Sequence, residues 1–256
     1  MRKISFNDIY TESHLVVGTE LYSHYHNPEM LIQYDSNYLQ FHRMPTLQEF
    51  IEAATYLKEF HQKNGQKHVK FYFPENRKPS EELIQFFHHQ SFEYGYLELY
   101  AIQPEQFPIT DNHPDITIRI VSEVNFDDYL QVQYEQDLEF GEEFAKAKPA
   151  LYRRHFQDET FMQIMSYYQG TAVGSLEVII KEDTAEIDGL HVHQAFRKKG
   201  IAQRLQKFVI AEQFPNKTII LVADGEDTPR EMYIRQNYRY LGFQYEVQKV
   251  DLKKDE

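Results

Sequence analysis

The stretch Ala185–Leu205, AEIDGLHVHQAFRKKGIAQRL, limits the possible folds more than any other part of the chain. It begins as a strand, yet Ile187 and Gly189 share one parity while Leu190 and Val192 share the other. A change of face in mid-strand, with glycine at the break, is what a β-bulge produces. Such a bulge splays the strand from its neighbour and opens a slot. Arg197, Lys198, Lys199, Gly200, Ile201 and Ala202 follow, and then an amphipathic helical run. Gly200 and Ala202 are small enough for backbone to approach a ligand closely. The exposed N–H groups of the loop and first helical turn, with the helix dipole and three cations, make a cradle for a pyrophosphate.

The rest of the chain supplies a frame for this element. At about 150 residues per domain, 256 residues suit one large domain or two small ones. Gln103–Asp115 carries three prolines and no apolar period, so it reads as a connection. The expected division is a domain over 1–103, a linker over 104–115 and a second domain over 116–256. Period-2 and period-3.6 runs predict, in the second domain, strands at 116–121, 161–168, 172–181, 185–193, 218–223 and 240–250. Helices are predicted at 126–139, 143–156, 200–214 and 227–237. The order β-α-α-β-β-β-α-β-α-β implies an α/β fold with helices on the faces of a mixed sheet. The first half ends in the same way, with a helix over 45–63, a strand over 69–73, a helix over 80–90 and a strand over 94–102. Phe87–Phe92 (FHHQSF) and Tyr233–Tyr238 (YIRQNY) both sit late in a short helix that runs into a Tyr-rich strand, which reads as an internal repeat.

Composition excludes other classes. The chain has no Cys, which rules out a disulfide scaffold, a thiolate nucleophile and Cys-ligated metal. A net charge of −13 repels phosphate backbones, so nucleic acid is not an expected partner. No apolar run approaches the ~20 residues of a membrane span and the N-terminus has no signal-like core, so a cytoplasmic protein without a membrane partner is expected. His191 and His193 share a face, but neither they nor the pairs His88/His89 and His24/His26 have a third ligand at a telling spacing. No metal is expected.

Strand, bulge, R-x-x-G-x-(G/A) and helix together resemble the acyl-CoA signature of the GNAT superfamily of N-acetyltransferases. That family's second signature, a helix ending in Tyr-x-x-x-Gly-Phe, is filled by Tyr233–Tyr238, with Asn237 for the glycine and Tyr238 for the phenylalanine. The resemblance implies a GNAT-like acyl-CoA N-acyltransferase fold in two tandem copies, acetyl-CoA as co-substrate and direct attack by a primary amine. In the first copy Phe87 stands where Tyr233 stands, and His42–Thr46 has no glycine before its helix, so that copy is expected to be degenerate. Residues implied to hold CoA are Leu190, His191, Val192, Arg197, Lys198, Lys199, Gly200, Ile201 and Ala202, with the Val192 N–H on the thioester carbonyl. Tyr233 is implied as proton donor to the leaving thiolate. The base that deprotonates the amine is Glu186, Asp188 or water. The helix pair after the first strand forms an acceptor wall in this family. Tyr134–Glu143 holds five carboxylates and no Lys or Arg. Glu139 and Glu142, with His191 and the rings of Tyr134, Phe140 and Phe144, therefore point to a cationic acceptor, either a small amine or an amine of a peptide or protein. A non-catalytic acyl-CoA-binding or scaffold protein is the alternative. An aminoacyl transferase of the Fem type fits poorly, because its tRNA donor needs a basic surface.

Overall fold

The computed structural model describes residues 3–109, 113–226 and 229–250. Residues 110–112 of the expected linker, the expected helix start at Asp227 and the last residues of the expected second domain, 251–256, lie outside the described residues. The first half contains β1 (His14–Gly18), β2 (Tyr22–His26), β3 (Tyr38–Phe41), α1 (Leu47–Lys63), β4 (His68–Tyr72), α2 (Glu81–His89) and β5 (Glu93–Ile102). The second contains β6 (Ile116–Ile120), α3 (Phe126–Asp137), α4 (Glu142–Phe156), β7 (Phe161–Tyr168), β8 (Thr171–Ile180) and β9 (Thr184–Val192). It continues with α5 (Ile201–Lys207), β10 (Thr218–Asp224), α6 (Pro229–Arg235) and β11 (Arg239–Val250).

The chain forms two compact units. One is Met1–Leu99 with Ala223–Arg230 and Leu241–Glu256; the other is Tyr100–Val222 with Glu231–Tyr240. Residues 241–250, which the sequence division puts in the second domain, thus fall in the first unit. The reason is β11: Glu246–Val250 pair antiparallel with Tyr72–His68 of β4.

In the first unit β1, β2 and β3 form an antiparallel meander, and β3 runs parallel to β4. β2 escapes the sequence reading because Ser23, His24 and His26 break the apolar alternation, and β1 and β3 because each is only four or five residues long. The core is largely aromatic. Phe41, Phe50, Phe71, Phe73 and Phe87 are buried together with Leu39, Leu57 and Leu83. Thr46 and Glu49 close a reciprocal capping box at the start of α1.

In the second unit β6, β7, β8 and β9 form an antiparallel meander, and β10 joins β9 in parallel. The α3 and α4 side chains Phe126, Tyr129, Val132 and Tyr152 pack on Met165 and Tyr167 of β7. The expected second-half elements appear with small shifts of boundary. The first helix stops at Asp137 and passes into a 3₁₀ turn, and α5 continues from Phe208 as a π-helical segment.

Candidate active site

Glycine at position 189 has φ of +58°, a left-handed conformation that glycine adopts without penalty. Across it the ladder slips. Glu177 pairs with Asp188 and Ser175 with His191, so two steps on β8 span three on β9. On the other edge of β9, β10 pairs only at Thr184, Ala185 and Glu186. Beyond Glu186 the two parallel strands part, which leaves a gap beside residues 187–192.

The slip decides which side chains meet. Residues directly opposite in an antiparallel pair project to one face. Glu186, Asp188 and His191 therefore share the face of Glu177 and Ser175, although His191 has the other parity. That face carries α3 and α4: the Ser175 hydroxyl donates to Gln133 Oε1 at 2.9 Å, and His155 Nδ1 bonds Glu177 Oε2 at 2.8 Å. Glu186 is buried, 3.8 Å from Lys181 Nζ, while Asp188 is exposed at the bulge. Burial lowers the pKa of His191; Glu139 opposes that shift, Arg197 and His193 add to it, and Glu135 again opposes it.

Val192 lies opposite Gly174, and the His193 N–H donates to the Val173 carbonyl at 2.8 Å. Hydrogen-bonded and non-hydrogen-bonded pairs alternate along such a ladder, so Val192 turns its own N–H and C=O away from β8, toward the gap. Its carbonyl accepts from Arg197 Nε at 3.1 Å. A methyl at Gly174 would stand 2.5 Å from the His191 carbonyl, so only glycine fits there.

In the loop, Lys198 and Gly200 both take left-handed φ, +63° and +82°. Alternating backbone of this kind turns successive N–H groups to one side, a concavity suited to an anion. A Cβ on Gly200 would meet nothing within 4 Å, so open space lies above it, and α5 has no side-chain cap on its first amides. The backbone therefore fits a pyrophosphate. The side chains divide differently. Arg197 is bent back onto β9, Lys199 Nζ lies 4.9 Å above the Tyr168 ring, and Ile201 is buried, so only its backbone is available. Leu190 is half-buried beside the bulge and Ala202 half-buried on the first helical turn.

Tyr233 is held at the end of α6. The Tyr238 N–H donates to its carbonyl at 3.0 Å across Asn237, whose φ is +66°, a left-handed helix end. The Tyr233 ring lies 5.2 Å from that of Tyr100 and 5.4 Å from that of Tyr238. The Tyr238 hydroxyl donates to Gln206 Oε1 on α5 at 2.9 Å.

The acidic wall is smaller than its sequence suggests. Asp137 is buried and accepts from the Tyr152 hydroxyl. Glu142 is paired with Lys146 one helical turn later, at 2.6 Å. Lys148 already stands over the Phe144 ring. Glu139 and Glu135 remain as the carboxylates acting on His191, and Phe140 is 69% exposed beside them. Among the described residues no group of three His, Cys, Asp or Glu could hold a metal ion, and no helix is long and apolar enough to cross a membrane.

The sequence reading misses Glu177, His155, Gln163, Gln133, Ser175 and Gly174. Glu177 carries a signal that was available: a carboxylate in mid-strand between Leu176 and Val178 must be buried with partners.

Residues 127–243 match the model of the acetyltransferase (GNAT) family, and residues 4–100 match a domain of unknown function, DUF5613. No curated protein matches the chain. A functionally unknown conserved protein from Staphylococcus epidermidis is 32% identical, with 98% of this chain and 99% of that one covered and a TM-score of 0.90. A GCN5-related N-acetyltransferase from Kribbella flavida is 12% identical over 94% and 90% of the two chains, with a TM-score of 0.59. A tandem GNAT protein from the clavulanic acid biosynthesis pathway is 8% identical over 85% and 76%, with a TM-score of 0.53. At these low identities the last two speak for the fold alone, which is the mixed α/β fold expected from the sequence.

Proposed function

We propose that the second half of the chain, whose residues 127–243 match the acetyltransferase (GNAT) family model, moves an acetyl group from acetyl-CoA to a primary amine by direct attack. One observation carries this reading. The gap between β9 and β10 opens beside a bulged strand, and the loop that follows offers left-handed backbone and open space at Gly200.

The chain's own groups supply what the reaction needs. An ammonium must lose a proton before its nitrogen can attack, and Glu186, Asp188 or a water takes it. The Val192 N–H, turned into the gap, donates to the thioester carbonyl and stabilises the oxyanion. As the C–N bond forms and the C–S bond breaks, the Tyr233 hydroxyl gives its proton to the thiolate. Glu139 and Glu135 beside His191 favour a cationic acceptor, a small amine or an amine of a peptide or protein.

Calorimetry with CoA on the full chain tests the loop. The wild type should bind, and Gly200→Glu should lose most of that affinity, because it puts a side chain and a like charge where the phosphates lie. Equal affinities would remove the loop from the site.

A further inference from the structure

Two carboxylates flank the bulge on one face. Glu177 and Asp188 are direct cross-strand partners, a relation that puts Cβ atoms about 4.5–5.5 Å apart. Glu177 is buried and Asp188 is exposed. Both act on one further group, the buried phenol of Tyr129, whose proton they help to retain after burial itself. Glu177 cannot turn away. Its Oε2 is bonded by His155 Nδ1 at 2.8 Å and its Oε1 accepts from Gln163 Nε2 at 3.1 Å. Gln163 is fixed in turn by the Tyr152 carbonyl at 2.9 Å, and the His155 ring stacks on Phe161 at 3.8 Å.

Glu186 has a different setting. It sits where β9 is paired on both sides, opposite Ile179 and Ile220, and its carboxylate has the Lys181 ammonium nearby. A neighbouring cation weakens a carboxylate as a base, and a neighbouring anion strengthens it. We infer that Glu177, clamped by Gln163 and by His155 as a neutral imidazole, is a positioning residue that raises the proton affinity of Asp188 and so selects Asp188, rather than Glu186, as the group that deprotonates the acceptor amine. The proton passes from the ammonium nitrogen to an Asp188 oxygen; the freed lone pair forms the C–N bond, and the electrons of the C–S bond leave on sulfur. The base role rests on the acetyl-transfer reading, whereas the coupling of Glu177 to Asp188 does not.

The test is carboxyl-carbon NMR titration of the full chain, wild type against Glu177→Gln, with the pH profile of amine turnover measured on the same samples. Loss of the neighbouring charge should lower the Asp188 midpoint by about one pH unit and carry the acidic limb of kcat/KM down with it. Asp188→Asn should abolish that limb, and Lys181→Met should leave it in place. His155→Gln, which frees the Glu177 carboxylate from its clamp, should also lower the Asp188 midpoint, which keeps the test open if Glu177→Gln does not fold. Midpoints that do not respond to either variant overturn the coupling. A shifted Asp188 midpoint with an Asp188→Asn enzyme of full turnover overturns the base role and leaves acetyl transfer standing. No turnover with any amine, with the midpoints still coupled, counts against the acetyl-transfer reading alone.

Discussion

The two units end a helix in the same way and then use it differently. Phe92 N–H donates to the Phe87 carbonyl at 2.9 Å across Ser91 at φ +55°; Tyr238 N–H donates to the Tyr233 carbonyl at 3.0 Å across Asn237 at φ +66°. The backbone of this helix end is thus the same in both units, while the side chains are not. Phe87 is fully buried in an aromatic core. Tyr233 carries a hydroxyl, and its neighbour Tyr238 is tied to the helix that follows the glycine loop. The helix starts differ in the same sense. At α1 the first amides are served by the protein itself through Thr46 and Glu49, and Arg43 holds the Glu49 carboxylate from two nitrogens, at 2.6 and 2.9 Å. Those Arg43 bonds, then that of the Thr46 amide, bring the Glu49 pKa down to about 2. At α5 no side chain fills that place. One helix start supplies its own anion and the other leaves room for one.

Exchanging the marker residues should break this contrast most sharply. Tyr233→Phe should lower kcat by ~10²–10⁴ while CoA affinity stays within about twofold, since only a proton donor is lost. A parallel fall in kcat and affinity would make Tyr233 a packing residue. The converse change, Phe87→Tyr, should add no activity to that of the second unit and should destabilise the first unit by about 1–3 kcal/mol, because a hydroxyl is buried without a partner. Chemical denaturation measures that loss.

Acid should separate the units next. In the first unit His24, His61 and His68 are buried with His26, and their rings lie 4.7–6.3 Å apart along the series His26–His24–His61–His68. Burial first, then their neighbouring imidazoles, hold His24 at about 4 and His68 at about 3, and burial holds His61 at about 4 against the bond to the His68 carbonyl. The unfolded chain takes up these protons near pH 6.5 and the folded unit does not. Stability is therefore whole above that pH and falls as pH drops toward 4, by up to ~1.4 kcal/mol per pH unit for each histidine. Amide exchange at pH 7 and pH 5 should show β2 and β4 losing protection faster than β7 and β8. Equal losses in both units would remove the histidine cluster as the cause.

The loop contrast predicts a smaller set of effects. Glu49→Gln should leave CoA affinity unchanged, whereas Gly200→Glu should cut it tenfold or more by calorimetry. Smaller again, Glu135→Gln with Glu139→Gln should raise the amine KM a few-fold with little change in kcat, and Glu142→Gln alone should do less, since Lys146 already neutralises it.

Much of this was legible in the chain. The parity change at Gly189 announced the bulge, and the glycine after three cations announced the loop, because each is a local backbone requirement. Asn237 in place of glycine also announced a left-handed helix end. What stayed hidden was long-range. Nothing near Glu177 in sequence names His155 as its partner, and only the pairing of β8 with β9 sets it beside Asp188. In the acidic run Asp137 turns to Tyr152, fifteen residues on, and Glu142 to Lys146, one helical turn on. The strand β2 is held by pairing and by its buried histidines rather than by apolar alternation, and β3 is too short for its Leu39 and Phe41 to show a period.

The central claim is that the second unit acetylates an amine. Thiol release from acetyl-CoA by the full chain, across a panel of cationic, neutral and anionic amines, tests it most directly. Release should be fastest with cationic amines, and their KM should rise with salt as exposed carboxylates are screened over ~8–10 Å. CoA binding beside Gly200 with no thiol release from any amine would contradict the claim and leave a CoA-binding scaffold in its place.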